Sequence, residues 1–126
     1  MGQHTCVVAI DDYQDELDTF TDLLKLKGIN VVGKGRNGKE AATVYQIHRP
    51  DVVFLDIVMP QYDGWHGLMA IREINPDAKI IIVTGDATKK THDAIKEFQP
   101  TAVLKKPYDI EQVIELVNQI AKDKNS

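Results

Sequence analysis

A chain of 126 residues has room for one domain built on one hydrophobic core. Its 43% apolar and 27% charged residues rule out a disordered or fibrous chain, and 15 Lys and Arg against 19 Asp and Glu, a net charge of −4, argue against a broad nucleic-acid-binding face. One cysteine, Cys6, can make neither an internal disulfide nor a four-ligand zinc site, which suits a reducing cytoplasm.

Cys6-Val-Val-Ala-Ile10 reads as a buried strand stopped by Asp11 and Asp12. Leu17, Phe20, Leu23 and Leu24 recur at helical intervals up to the stop at Lys27-Gly28. Ile29-Asn-Val-Val32 is a second, shorter strand suited to an edge, and Asn37-Gly38 opens a helix carrying Ala41, Ala42, Tyr45 and Ile47 that closes before Pro50. Asp51 to Asp56 is the most apolar strand. Trp65, Leu68, Met69, Ile71 and Ile74 mark a third helix ending before Pro76, and Lys79 to Thr84 is a fourth strand. A polar helix follows from about Lys89 to Phe98, then a short strand, Ala102 to Lys105. The last helix carries Ile110, Val113, Ile114, Val117, Ile120 and Ala121, an unbroken apolar stripe.

Five strands, each followed by a helix, predict an α/β fold: a (βα)5 parallel sheet covered on both faces, open and doubly wound because five units are too few for the eightfold barrel. The whole chain, 1–126, reads as a single domain with a core of about 5–122 and a polar tail over 123–126. The longest apolar runs, Val52–Leu55 and Ile80–Val83, are too short to cross a bilayer. No secretory signal opens the chain, and Cys6 stands where an N-myristoylation site needs Ser or Thr, so a cytoplasmic protein without a membrane partner is expected.

Ligands of an open parallel sheet bind beyond the carboxyl ends of its strands. There the sequence puts Asp11-Asp12 after the first strand, Asp56 after the third, Thr84 after the fourth and Lys105-Lys106-Pro107 after the fifth. Three carboxylates at one mouth need a counter-charge. Mg²⁺ is a hard cation that takes a few carboxylates and keeps its other positions for water and phosphate oxygens. Carboxylate, Mg²⁺, lysine and hydroxyl are together what phosphoryl transfer to a carboxylate requires. Asp56, alone at the end of the most apolar strand, is the expected nucleophile, and Asp11 and Asp12 suit the metal. Each residue also has a plainer reading: the Asp pair as a helix cap with a favourable dipole charge, Asp56 as a turn residue, Thr84-Gly85-Asp86 as a helix start, Lys106-Pro107 as a loop. Those readings work singly but do not explain why all four fall at one edge of one sheet.

Ile10-Asp11-Asp12, Phe54-Leu55-Asp56 with Met59-Pro60 and Asp63-Gly64, Val83-Thr84-Gly85 and Lys106-Pro107 resemble, in order and spacing along almost the whole chain, the receiver domain of two-component response regulators. The resemblance implies a flavodoxin-like sheet of order 2-1-3-4-5. It implies Asp56 as acceptor of a phosphoryl group from a sensor histidine kinase or phosphotransfer protein, with Mg²⁺ held by Asp11, Asp12, Asp56 and the Val58 backbone carbonyl. Thr84 and Lys106 would contact the phosphoryl group, Pro107 would follow a cis peptide, and a protein target would read the face of helix four, strand five and helix five. The protein would then be a signalling switch that catalyses only its own phosphorylation and slow dephosphorylation, either stand-alone or excised from a longer chain, with no direct nucleic-acid contact. Two departures stand out. Val103 occupies the position, three before the matched lysine, where receivers usually carry an aromatic switch residue, and Gln99-Pro100 replaces the usual Gly-Ala.

Three rival readings follow. Gly33-Lys34-Gly35-Arg36-Asn37-Gly38 matches G-x-G-x-x-G, with Asp56 near the distance of a ribose-binding acid, although Asn37-Gly38 is more simply a turn and helix start. A phosphohydrolase with a strand-end Asp nucleophile would want a second acid where Val58 stands. A degenerate receiver would act as a phosphorylation-independent interaction module. The histidines, His4, His48, His66 and His92, show no metal-binding spacing, and Trp65 reads as packing at a helix start near the pocket.

Overall fold

The computed structural model describes residues 5–57, 63–85 and 88–124. Strands and helices alternate as β1 (Cys6–Ile10), α1 (Gln14–Leu26), β2 (Asn30–Gly35), α2 (Gly38–His48), β3 (Val52–Asp56), α3 (Asp63–Ile74), β4 (Ile80–Thr84), α4 (Lys89–Phe98), β5 (Ala102–Lys105) and α5 (Ile110–Lys124). The strands pair in parallel in the order β2-β1-β3-β4-β5. The most apolar strand, β3, is therefore the central one, and every residue of β3 and β4 is buried.

Side chains alternate across a strand, so a strand apolar at every position needs cover on both faces. Val8, Ile10, Val53, Leu55, Ile80 and Ile82 pack against Ala41 and Tyr45 of α2 and Leu68 and Ile71 of α3. The other face holds Val7, Ala9, Val52, Phe54, Ile81 and Val83 against Leu17 and Leu24 of α1 and Val113, Val117 and Ile120 of α5. Full burial of each Val, Leu, Ile or Phe among them stabilises by roughly 1.5–3 kcal/mol, which is what fixes the two helical layers on the sheet. No helix among the described residues is long and apolar enough to cross a membrane.

The second strand departs from the sequence reading. It runs three residues beyond Val32, and Val8, Ala9 and Ile10 of β1 pair with Gly33, Lys34 and Gly35. Two of the three glycines of the G-x-G-x-x-G match thus lie in a sheet edge, not in a phosphate-cradling loop. A Cβ on Gly33 would come within 2.7 Å of Val44 and 2.9 Å of His48, and one on Gly35 within 2.8 Å of Ile10. The glycines let α2 lie close on β2. The basic residues of the match are engaged nearby: Lys34 pairs with Asp18 at 2.9 Å, and Arg36 donates to Gln14 Oε1 at 2.6 Å. Asn37 caps α2 by accepting from the Glu40 N–H at 2.8 Å, which accounts for Asn37-Gly38 as a helix start. The nucleotide-binding reading loses its loop.

Candidate functional site

β1 and β3 are neighbours, with Ile10 opposite Leu55, so Asp11 and Asp56 leave the carboxyl edge side by side. This is the point at which the strand order reverses, where a doubly wound sheet opens its crevice. Oxygens of Asp11, Glu16 and Asp56 lie within 4.8 Å of one another. Lys106, delivered by the end of β5, places Nζ 2.9 Å from Asp56 Oδ2 and 3.4 Å from Glu16 Oε2. Asp12 is exposed and stands outside the carboxylate trio, but it lines the same pocket of about 550 Å³ together with Asp11, Glu16, Asp56, Gly85 and Lys106.

Burial explains the local electrostatics. Loss of water pushes the Asp11 carboxyl up to about 6; the Tyr13 N–H it accepts at 3.0 Å opposes this shift and the Asp56 charge adds to it. Burial pulls the Lys106 ammonium down, but the hydrogen bond and charge of Asp56, with the charge of Glu16, more than offset it, and the group titrates above an ordinary lysine. Three carboxylates against one ammonium leave a local charge of −2. An all-oxygen, anionic donor set of this kind fits a hard divalent cation and not a soft or imidazole-seeking metal.

The plainer reading of the Asp pair as a helix cap covers only part of the geometry. The residue at the cap of α1 is Tyr13, which makes no side-chain cap bond; Asp11 accepts from the Tyr13 N–H and also lies against Asp56 and Glu16. Gly64 has a physical role: a Cβ there would lie 2.7 Å from Ile57 Cα and 2.8 Å from the Asp56 carbonyl oxygen, so glycine lets α3 start against the backbone that carries Asp56. Thr84 ends β4 and is 2% exposed, and its carbonyl accepts from the Lys106 N–H at 2.9 Å. The Lys106–Pro107 peptide is cis. Lys105 is exposed, as strand alternation requires, while Lys106 turns inward. Val103 is half-buried and pairs with Ile82. Val58 and Met59-Pro60 lie outside the described residues.

Glu16 and Tyr108 were not singled out from the sequence. Glu16 sits in the first turn of α1, where an acid also complements the helix dipole. One signal could have found it: the helix starts straight after the strand-end acids, so its first turn overhangs them. Tyr108, half-buried, stands edge-on to Phe20 at 5.8 Å and, with Lys106, Leu17 and Phe54, lines an apolar cleft of about 550 Å³ opening beside Asp56. Burial raises its phenol. Trp65 is buried and stacks on Phe98 of α4 at 5.2 Å, so it joins α3 to α4 and does more than start a helix.

Residues 7–118 match the family described as the response regulator receiver domain. The chemotaxis protein CheY of Thermotoga maritima is 31% identical over 117 residues, covering 92% of this chain and 97% of that protein. The CheY of Bacillus subtilis is 31% identical over 114 residues, 90% of this chain and 94% of its own length. Among solved structures, the CheX–CheY–BeF3–Mg²⁺ complex of Borrelia burgdorferi superposes with a TM-score of 0.81 at 26% identity, covering 91% of this chain and 87% of that one. A two-component response regulator of Clostridium difficile superposes with a TM-score of 0.85 over 98% of this chain and all of that one; at 24% identity it attests the fold.

Proposed function

The chain belongs to the response regulator receiver domain family, and from that premise we propose that it is a Mg²⁺-dependent switch that accepts a phosphoryl group on Asp56 from a sensor histidine kinase or a phosphotransfer protein. The observation that carries this reading is the Asp56 carboxylate, 6% exposed, held 2.9 Å from Lys106 Nζ beside the Asp11 carboxylate at the reversal point of the sheet.

Asp11, Asp12 and Asp56 would hold the cation, with the Val58 carbonyl completing the set. Bound Mg²⁺ would supply positive charge to the phosphoryl oxygens as negative charge builds there. The protein's own residues do the rest. Asp56 presents an oxygen in line with the donor's leaving group; the oxygen–phosphorus bond forms as the donor's bond to phosphorus breaks. Lys106 moves with the charge, from the Asp56 oxygen to a phosphoryl oxygen, and Thr84 supplies a hydroxyl at the end of the neighbouring strand. Because Thr84 pairs with Lys105 across β4 and β5, a shift at Thr84 passes to the face formed by α4, β5 and α5, where a protein target would read it as a change in population. With Val103 in place of a ring, the Trp65–Phe98 stack is the aromatic pair that reaches α4 among the described residues.

The test is incubation with Mg²⁺ and acetyl phosphate, read by intact mass. One phosphoryl group is expected on the native chain and none on Asp56→Asn or under chelation. Undiminished labelling of Asp56→Asn would overturn the assignment. Native protein that never labels, yet still binds its target, would favour the phosphorylation-independent module.

A further inference from the structure

Glu16 belongs to the carboxylate trio but has no part in the phosphoryl transfer described above, yet it shares the lysine on which that transfer depends. Lys106 Nζ lies 2.9 Å from Asp56 Oδ2 and 3.4 Å from Glu16 Oε2, so one ammonium serves two carboxylates. The acceptors differ in setting: the Asp56 side chain is 6% exposed and that of Glu16 54%. The helix dipole gives a reason for an acid in the first turn of α1. It gives none for that acid reaching a lysine 90 residues away in sequence. When Asp56 takes up a phosphoryl group, a single negative charge gives way to about two. The new oxygens then compete with Glu16 for Lys106, and the added charge builds within a few ångströms of the Glu16 carboxylate.

We propose that Glu16 is a positioning residue for phosphoryl transfer: it holds part of the Lys106 hydrogen bonding in the unphosphorylated state and repels the incoming phosphodonor, and so restrains phosphorylation of Asp56. The role presupposes Asp56 as the phosphoacceptor. With acetyl phosphate as donor, an Asp56 oxygen bonds to phosphorus, the bond between phosphorus and the acetyl oxygen breaks, and the electron pair leaves with acetate. No proton has to move. Lys106 exchanges Glu16 for a phosphoryl oxygen, and Glu16 is left to water.

Glu16→Gln removes the charge and keeps the length, at an exposed position where the fold has little at stake. At saturating Mg²⁺ and low ionic strength, labelling by acetyl phosphate should be about three- to tenfold faster than in the native chain, as expected for one charge acting through partly solvated surroundings. The gap should close as salt is raised, and affinity for the anionic mimic beryllofluoride should rise by a similar factor. A merely structural role would not give a salt-dependent gap. Equal or slower labelling at low salt, or a gap indifferent to salt, overturns the role. The two readings fail separately: labelling that persists in Asp56→Asn overturns the phosphoacceptor, whereas Asp56-dependent labelling that Glu16→Gln leaves unchanged overturns only Glu16.

Discussion

The two edges of the sheet carry similar residues to different ends. At the amino edge, a pocket lined by Tyr45, Arg49, Asp51, Asn75, Asp77 and Lys79 balances two acids with two bases. Its polar groups are absorbed by the framework: Asp51 Oδ2 accepts from the Cys6 N–H at 2.8 Å, Asn75 Nδ2 donates to the Tyr45 hydroxyl at 2.9 Å, and Asn75 Oδ1 accepts from the Asp77 N–H at 3.0 Å. At the carboxyl edge, Asp11, Glu16 and Asp56 face one another and share one lysine. An acid that ties down backbone is structural. Acids gathered at a cost against each other, with too little counter-charge, mark the edge whose donor set fits a hard cation.

Charge removal should separate the edges most sharply at Lys106. Lys106→Met should lower the rate of Asp56 labelling about 100-fold, by analogy with losing one preorganised charge partner of a transition state, while Mg²⁺ affinity measured calorimetrically holds or rises because the trio is left more negative. Equal losses in both would mean that the pocket had collapsed.

The amino edge should answer in stability alone. Asp51→Ala strips the acceptor from the Cys6 N–H and should cost about 1–3 kcal/mol in denaturant unfolding, the range for leaving a part-buried donor unmet. Labelling of Asp56 should not change. A labelling defect in a fully folded Asp51→Ala protein would erase the distinction between the edges.

Strand content and the carboxyl-edge polar groups were legible because both write themselves locally: apolar runs bounded by helical periods, and Asp11, Asp12, Asp56, Thr84 and Lys106 at the strand ends. The length of β2 was not, because Gly33 and Gly35 read as loop until α2 is known to press on them. Glu16 was hidden for a similar reason, since an acid in a first helical turn already has a local explanation. The Trp65–Phe98 stack depends on the mutual setting of α3 and α4, which no periodicity within either helix records.

A smaller effect should appear at Asp11, with opposite signs for stability and function. Its carboxyl titrates at about 6 against 3.8 for an unperturbed aspartate, so the folded state binds the proton more tightly than the unfolded state. The ionised group therefore costs stability, fully above about pH 6 and not at all below about pH 4. Discounted for its partial exposure to water, the cost is about 1 kcal/mol. Asp11→Asn should be more stable than the native chain by about that much at pH 7, lose the advantage as the pH falls through this window, and bind Mg²⁺ more weakly. A variant less stable at pH 7 would contradict the crowding of charge at this edge.

The contrast between the edges is most directly tested by amide chemical shifts recorded as Mg²⁺ and then beryllofluoride are added. The result expected is perturbation centred on Asp11, Asp12, Asp56, Thr84 and Lys106, spreading with beryllofluoride into β5, and silence at Asp51, Asn75 and Asp77. Shifts centred on the amino edge, or none at the carboxyl edge at saturating Mg²⁺, would contradict it.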